Sequence, residues 1–513
     1  MRDYLLLIDN IIYMREYINN LDYNNLKTNN KNTLFLKYKV FKNNRDFFKE
    51  LENIEYVNNG IKLDTDQKKC VFSNEINTLV LAGAGSGKTF TIVSKIEYLI
   101  NVLKINPNEI LCLSFTNEAV NNLKNKLKYE IDIFTFHKLA INILSDYNYW
   151  YSNVGSDYLK FMINEIFYSI CGNIDEKLLN SISSEINNFI NLFNTYNYSY
   201  SYLKKIIKKN KNKMLLVIEK IYLLYKEELY STNSLDFNDM IIKAIDMIKN
   251  SGLRRFYKYI IIDEFQDISN SEYFLIKEIQ ESCNSFVFCV GDDFQSIYKF
   301  AGSKLELITN FKKYFKHPLI IRINNTYRNS NELIDIASKF IMKNKYQIKK
   351  RLKSDITLYK PIKIIYYKKN MSLLFEKLLK NNDKEFLILS RNSFDINQLI
   401  NNNISYENGL IFFENKSYRF LTVHKSKGLE AENIILLNLS NNMYGFPSKK
   451  HSKLEELLYD KDKYLYEEER RLFYVALTRT RNYVYLFVDK DNPSIFIKEI
   501  ININKKDIEV LYL

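Results

Sequence analysis

A chain of 513 residues is too long for one hydrophobic core and divides into roughly two to four domains, which a 46% hydrophobic content can fill. A formal charge of +14, from 74 Lys and Arg against 60 Asp and Glu, suits a polyanionic partner. Five scattered cysteines without a CxxC pair argue against a zinc or iron–sulfur centre and for reduced thiols in the cytoplasm; no apolar run approaches ~20 residues, which argues against a membrane span.

Residues 1 to 60 read as a mixed-charge helical extension with amphipathic runs such as Phe47-Phe48-Leu51. Leu63-Asp64-Thr65-Asp66-Gln67 is an N-cap-like helix start, and the Gln67 amide is of the kind that reads both edges of an adenine. An apolar run, Thr78 to Leu81, then delivers Ala82-Gly83-Ala84-Gly85-Ser86-Gly87-Lys88-Thr89, followed by Phe90. A strand, a glycine-rich turn and Lys-Thr opening a helix form a cradle for a nucleoside triphosphate, ATP. Glycines let backbone N–H groups turn inward on the phosphates, Lys88 reaches the β and γ phosphates, and the Thr89 hydroxyl holds Mg²⁺.

Strands at Glu109–Ser114 and Ile131–Phe134, with helices between, imply a doubly wound parallel α/β sheet whose ligands gather at the carboxyl ends of its strands. Phe115, Thr116, Asn117, Thr135 and His137 fall at that edge, where hydroxyls, an imidazole and an aromatic ring suit phosphates and bases; helix caps and core aromatics are the plainer reading. Residues 140 to 231 are helical and read as an insertion, with exposed-looking lysines at 204, 205, 208, 209, 211 and 213, either a solvated face or a nucleic-acid contact. The strand Tyr259–Ile262 ends in Asp263 and Glu264, acids suited to the Mg²⁺ shell and to polarising the attacking water. After Phe286–Val290, Gln295 falls near the γ-phosphate, with Tyr298 and Phe300 placed to stack a base.

From Pro318 the strand–helix alternation starts afresh at Leu319–Ile323 and continues through Ile362–Tyr366, Phe386–Leu389, Phe420–Val423, Ile434–Leu437 and Tyr483–Phe487. This reads as a second sheet over 316–513 without a second phosphate loop. It carries Arg328 and Arg479, which would serve as arginine fingers if opposed to the triphosphate across a cleft.

The ordered set LDTDQ, AGAGSGKT, LSFTNEAVNNLKNKL, TFH, LDFNDM, IIDEFQD, VGDDFQSIY, NTYRNS, ILSRN, LTVHKSKGLE and EEERRLFYVALTRTR resembles the superfamily 1 helicases of the UvrD/Rep type. The resemblance implies two RecA-like motor domains, 61–139 with 232–315 and then 316–513. It also implies an ATP-dependent translocase on single-stranded and tailed duplex DNA, moving 3′ to 5′. It assigns Gln67 and Tyr327 to adenine, Glu430 to the ribose, Arg328 and Arg479 to the γ-phosphate, and Phe115, Thr135, His137, Phe300 and His424 to the DNA strand. Phe300 and Lys299 stand where many members have tryptophan and glycine, followed by Ala301 in place of arginine. About thirty residues separate Arg391 from Val423, too few for the large regulatory subdomain of UvrD and Rep. The compact arrangement resembles helicase IV, and processive unwinding would then call for a protein partner or self-association. An ATP-driven motor that displaces proteins from DNA or acts on RNA polymerase would use the same ATP residues.

Overall fold

The computed structural model describes residues 57–58, 60–382, 384–450, 452–458 and 464–512. The extension expected to be helical over residues 1 to 60 lies outside them, except for Gly60 and Val57–Asn58, which pairs antiparallel with Ile61–Lys62.

Six parallel strands form the first sheet: β1 (Asn77–Ala82), β2 (Ile110–Ser114), β3 (Asp132–Thr135), β4 (Tyr259–Ile262), β5 (Phe286–Gly291) and β6 (Leu319–Ile323), in the order β6-β1-β5-β4-β2-β3. Its early helices are α1 (Thr65–Phe72), α2 (Lys88–Asn101), α3 (Asn117–Lys126) and α4 (Phe136–Asp146). The strands β1, β2 and β4 are buried throughout, because a parallel sheet covered on both faces needs apolar side chains on each. Alternate residues serve opposite faces: Leu79, Leu113 and Ile262 pack with Phe136 and Ile143 of α4, whereas Val80, Cys112 and Ile261 pack with Ile92 and Ile96 of α2.

Four helices, α5 (Tyr158–Cys171), α6 (Glu176–Thr195), α7 (Tyr200–Asn210) and α8 (Lys213–Ser231), form the insertion, closed at its neck where Ser152–Asn153 pairs with Ser234–Leu235. The insertion therefore begins later than residue 140: α4 belongs to the first core, its apolar face held against Met240, Ile241 and Ala244 of α9 (Phe237–Ser251). The insertion has its own core around Phe189, Ile190, Phe193, Leu215 and Ile218, and Leu454 and Leu458 join it from the far end of the chain. Another helix, α10 (Asn270–Cys283), covers the first sheet between β4 and β5.

Eight strands make the second sheet: β7 (Ile362–Tyr367), β8 (Phe386–Ser390), β9 (Ile404–Glu407), β10 (Leu410–Phe413), β11 (Lys416–Thr422), β12 (Asn433–Leu439), β13 (Val484–Asp489) and β14 (Ile508–Leu511), in the order β9-β10-β11-β8-β12-β13-β7-β14. Pairing is parallel from β11 to β14 and antiparallel through β9, β10 and β11. One face is covered by α11 (Asn331–Ile341), α13 (Glu467–Leu477) and α14 (Ile495–Ile503), the other by α12 (Met371–Lys380). These two α/β layers are RecA-like.

One expected strand belongs elsewhere. Leu319–Ile323 is β6 of the first sheet, with Ile321 beside Val80, and does not open the second. Its short apolar run suits an edge position beside β1, and Asn77 Nδ2 donates to Lys316 O at 2.8 Å just ahead of it. The chain crosses to the second sheet only through residues 324–330. Among the described residues no helix is long and apolar enough to cross a membrane.

Phe193 in α6 is buried against Phe189, Tyr198 and Tyr222. Phe193→Ala should destabilise the insertion by about 3–5 kcal/mol, read by hydrogen exchange in α6 and α8; a loss below about 1 kcal/mol would contradict this packing.

Candidate functional site

The carboxyl ends of β1, β2, β4 and β5 open onto a cleft of about 600 Å³ whose other wall comes from the second sheet. Gly83 to Phe90, Phe115, Thr116, Asp263, Glu264, Gln295, Tyr298, Tyr327, Arg328, Glu430 and Arg479 all line it. The turn after β1 needs its glycines: Gly85 has φ +69°, and a Cβ there would meet Arg328 Cβ at 2.5 Å. The crossing segment lies directly on this turn, Thr326 Oγ1 donating to Ala84 O at 2.7 Å and Tyr327 N–H to Gly85 O at 2.9 Å.

Lys88 opens α2, and its Nζ lies 2.9 Å from Glu264 Oε1. Glu264 is a non-glycine residue at φ +50°, a left-handed conformation that costs about 1–3 kcal/mol and needs support. Support comes from its own N–H, which donates to Asp263 Oδ1 at 2.8 Å, and from the Gln266 carboxamide, which donates to its Oε2. Burial, and then the neighbouring Glu264 charge, push Asp263 above the usual carboxylate range. Burial would raise Glu264 too, but Lys88 and then Lys427 outweigh it and hold it below that range. So two adjacent acids are driven apart, one firmly ionised and the other short of positive charge. Thr89 and Asp263 supply a hydroxyl and a carboxylate, a donor set that fits Mg²⁺, which takes one or two protein oxygens and fills the rest with water and phosphate.

From the other wall, Arg479 is 2% exposed and its Nη2 donates to Gln295 Oε1 at 2.8 Å. Burial, with Arg328 nearby, lowers it to about 9, so it stays charged at neutral pH. Arg328 Nε donates to Glu430 Oε2 at 2.8 Å, and Arg481 holds the other oxygen of that carboxylate.

Beside the cleft runs a row of rings. Phe115 stacks on Tyr298 at 5.2 Å, Tyr298 meets Phe300 at 5.9 Å, and Phe300 meets His424 at 5.4 Å, so the row passes from the first sheet to the second. Phe300 is 55% exposed, offering a face for stacking. The Tyr298 hydroxyl donates to His424 O at 3.3 Å.

Residues 63–316 match the UvrD/REP helicase N-terminal domain, and residues 202–488 match the viral superfamily 1 RNA helicase core domain. The chain belongs to the UvrD/Rep-type superfamily 1 helicases. It is 27% identical over 504 residues to DNA helicase IV of Escherichia coli (strain K12), covering 90% of this chain and 72% of that protein. It is 29% identical over 444 residues to the ATP-dependent DNA helicase Rep of Buchnera aphidicola subsp. Schizaphis graminum, covering 79% of this chain and 66% of Rep. A probable DNA helicase of Mycoplasma pneumoniae is 26% identical over 476 residues, with 83% of each covered.

Against the UvrD/Rep-type pattern, several expected positions are engaged differently. Ala82 ends β1 inside the sheet and does not line the cleft. Nor does Gln67: it is buried, its Oε1 accepting from Asp64 N–H at 3.1 Å and its Nε2 donating to Ser86 O at 3.3 Å, so its amide is occupied in closing α1. Thr116 and Thr135 cap α3 and α4, accepting from Ala119 N–H at 3.2 Å and Lys138 N–H at 3.3 Å. Asn117 is the first residue of α3, and His137 meets Phe237 at 5.1 Å. The six lysines at 204, 205, 208, 209, 211 and 213, which run from α7 to the first residue of α8, are all exposed.

Sequence reasoning missed two lysines. Lys427, three residues after His424 in LTVHKSKGLE, donates to Gln295 O at 2.8 Å, pairs with Asp267 and lies 3.8 Å from Glu264, so a cation of the second sheet touches the acids of the first. Its position in the motif was the available signal. Lys350, in a lysine-rich run, gave none.

Burial, then Arg391 and Lys427, pull the His424 imidazole down to about 3. It should therefore stay neutral from about pH 5 to 8; an NMR titration with a His424 midpoint near the ordinary value would contradict this environment.

Proposed function

We propose that this chain is an ATP-dependent DNA helicase, a motor that hydrolyses ATP between its two sheets and moves 3′ to 5′ on single-stranded DNA and tailed duplexes in the cytoplasm. The observation that carries the reading is one short segment that serves both ends of the machine. Gln295 joins Arg479 across the cleft at 2.8 Å, and Phe300, a few residues on, joins His424 at 5.4 Å. The names of the relatives, DNA helicase IV and Rep, support DNA as the track; the polarity rests on the family resemblance.

In this reading the turn from Gly83 to Thr89 and the Lys88 ammonium bind the triphosphate, with adenine beside Tyr327 and Phe90, and Gln67 reaching it only by releasing Ser86. Thr89 and Asp263 would hold Mg²⁺, which neutralises charge on the β and γ phosphates. Glu264, kept ionised, orients the attacking water and accepts its proton. Arg479 and Arg328 stabilise charge developing on the γ-phosphate, a contribution of about 10³ to 10⁵ in rate for such arginines. Glu430 takes the ribose. Closure of the cleft displaces Gln295 and, with it, Tyr298 and Phe300, whose stacking on bases alternates with that of Phe115 and His424.

ATPase rate with and without single-stranded DNA, together with strand displacement on 3′-tailed and 5′-tailed duplexes, tests the reading directly. DNA-stimulated hydrolysis with displacement from the 3′ tail is expected; stimulation without displacement would instead favour a motor that strips proteins from DNA. Glu264→Gln should keep nucleotide binding and lose at least about 10²-fold in turnover, and substantial residual turnover would remove Glu264 from its role. Phe300→Ala should leave DNA-stimulated ATPase largely intact while unwinding falls; unchanged unwinding would sink the stacking relay.

A further inference from the structure

The segment after β5, Asp292 to Ser296, belongs by sequence to the first sheet, where Asp292 N–H donates to Gln266 Oε1 at 2.8 Å and Ser296 Oγ to Gln266 O at 3.1 Å, yet its two carboxylates are held from the other side. Asp292 and Asp293 are both 0% exposed, and the Lys350 ammonium, at 1%, is wedged between them, 2.5 Å from Asp293 Oδ1 and in contact with Asp292 Oδ1. Lys350 also lies 3.9 Å over the Phe294 ring. Gln347, from the same stretch, donates to Asp293 Oδ2 at 2.9 Å, and Ile348 N–H donates to it at 2.7 Å. Arg471 Nε of α13 donates to Ser296 O at 2.6 Å.

Asp292 spends its two oxygens differently. Oδ1 faces Lys350 and accepts from Phe294 N–H at 3.1 Å, and Oδ2 accepts from Gln295 Nε2 at 2.7 Å. A carboxamide has a donor end and an acceptor end, so giving the N–H to Asp292 turns its oxygen toward Arg479, where Nη2 donates at 2.8 Å. The line Lys350, Asp292, Gln295, Arg479 is therefore polar from end to end, each group setting the orientation of the next.

We propose that Lys350 is a positioning residue for ATP hydrolysis: by anchoring the Asp292 carboxylate it fixes the Gln295 carboxamide with its oxygen toward Arg479. This rests on the reading of the cleft as an ATPase site. Without the cation, two adjacent buried carboxylates cannot both remain ionised, and one takes up a proton. The two carboxyl groups then turn toward each other to share that proton, Asp292 Oδ2 is drawn off Gln295 Nε2, and the carboxamide is no longer fixed with its oxygen toward Arg479. Burial already pushes Asp293 upward, with Lys350 opposing it. The other groups facing this pair are Arg479, Lys88 and the Tyr474 phenol, and none replaces the ammonium in contact with both acids.

The test uses the full chain and compares Lys350→Met and Lys350→Arg with the wild type and with Glu264→Gln. At neutral pH, Lys350→Met should lower kcat for DNA-stimulated hydrolysis by about 10²-fold, the scale of a misplaced catalytic group, while the affinity for a fluorescent ATP analogue changes less than twofold. Its kcat should climb with pH as the shared proton leaves, on a profile displaced to higher pH than the wild type's, and Lys350→Arg should recover much of the loss. A Lys350→Met enzyme with wild-type kcat and pH profile would overturn the proposal, as would a loss of kcat that is the same at every pH. If Lys350→Met does not fold, the pair Asp293→Asn with Lys350→Met removes one carboxylate with the cation. That pair should fold and regain turnover, and a folded pair as slow as Glu264→Gln at every pH would also overturn it. A wild type without DNA-stimulated ATPase would instead refute the functional reading, whatever Lys350 does.

Discussion

The structure turns on the need to balance charge among acids buried at the floor of the cleft. Asp263, Glu264 and Asp267 stand together at the end of β4, and burial raises the cost of each negative charge. One cation comes from the same sheet, Lys88 at 2.9 Å from Glu264, and another from the opposite sheet, Lys427, which pairs with Asp267 and reaches Gln295 O at 2.8 Å. Removing one partner of such a buried group costs about 3–5 kcal/mol, because the partner left behind has no water to turn to. The docking of the two sheets and the ionisation of the site are therefore one electrostatic arrangement. Any triphosphate bound at Lys88 competes with Glu264 for it and so alters what holds the two walls together.

The same logic applies to the segment after β5, proposed above as the link between the ATP site and the DNA track. Its covalent ties lie with the first sheet, but its carboxylates and carbonyls are satisfied by Lys350, Gln347, Arg471, Arg479 and Lys427 of the second. Breaking those contacts one at a time would strand buried polar groups, and the segment is tied as well to Gln266 of the first sheet, so it is gripped from both walls of the cleft. Tyr298 and Phe300 are carried on its end, which is what the proposed coupling of hydrolysis to the DNA track uses.

Much of this was legible in the sequence, and what was not has physical reasons. Strands buried on both faces leave continuous apolar runs, so β1, β2, β4 and β5 stand out, and the residues that follow each could be set at one edge before any contact was known. Sheet membership is another matter: Leu319–Ile323 looks the same whether it extends the first sheet or begins the second, since only tertiary pairing decides. The hairpin of β9 and β10 went unread, although Asn408-Gly409, at φ +50° and +83°, is the two-residue signal that selects it. It occupies the interval where UvrD and Rep carry their inserted subdomain. Lys350 was invisible because lysine is abundant here, and a buried lysine differs from an exposed one only by its neighbours.

The two alternative uses of Gln67 and Arg328 show how far geometry sharpens a motif. Both lie where the family pattern puts nucleotide contacts, and both are satisfied within the protein, Gln67 by Asp64 and Ser86 and Arg328 by Glu430. A hydrogen bond exchanged for another of equal kind is nearly neutral in free energy, whereas one abandoned inside the protein is not. These residues can therefore change partners at small cost only if the incoming ligand replaces what they lose. Glu430 meets that condition, because Arg481 still holds its carboxylate after Arg328 departs. The arginine is thus kept oriented and releasable beside the cleft, which suits the role proposed for it in hydrolysis.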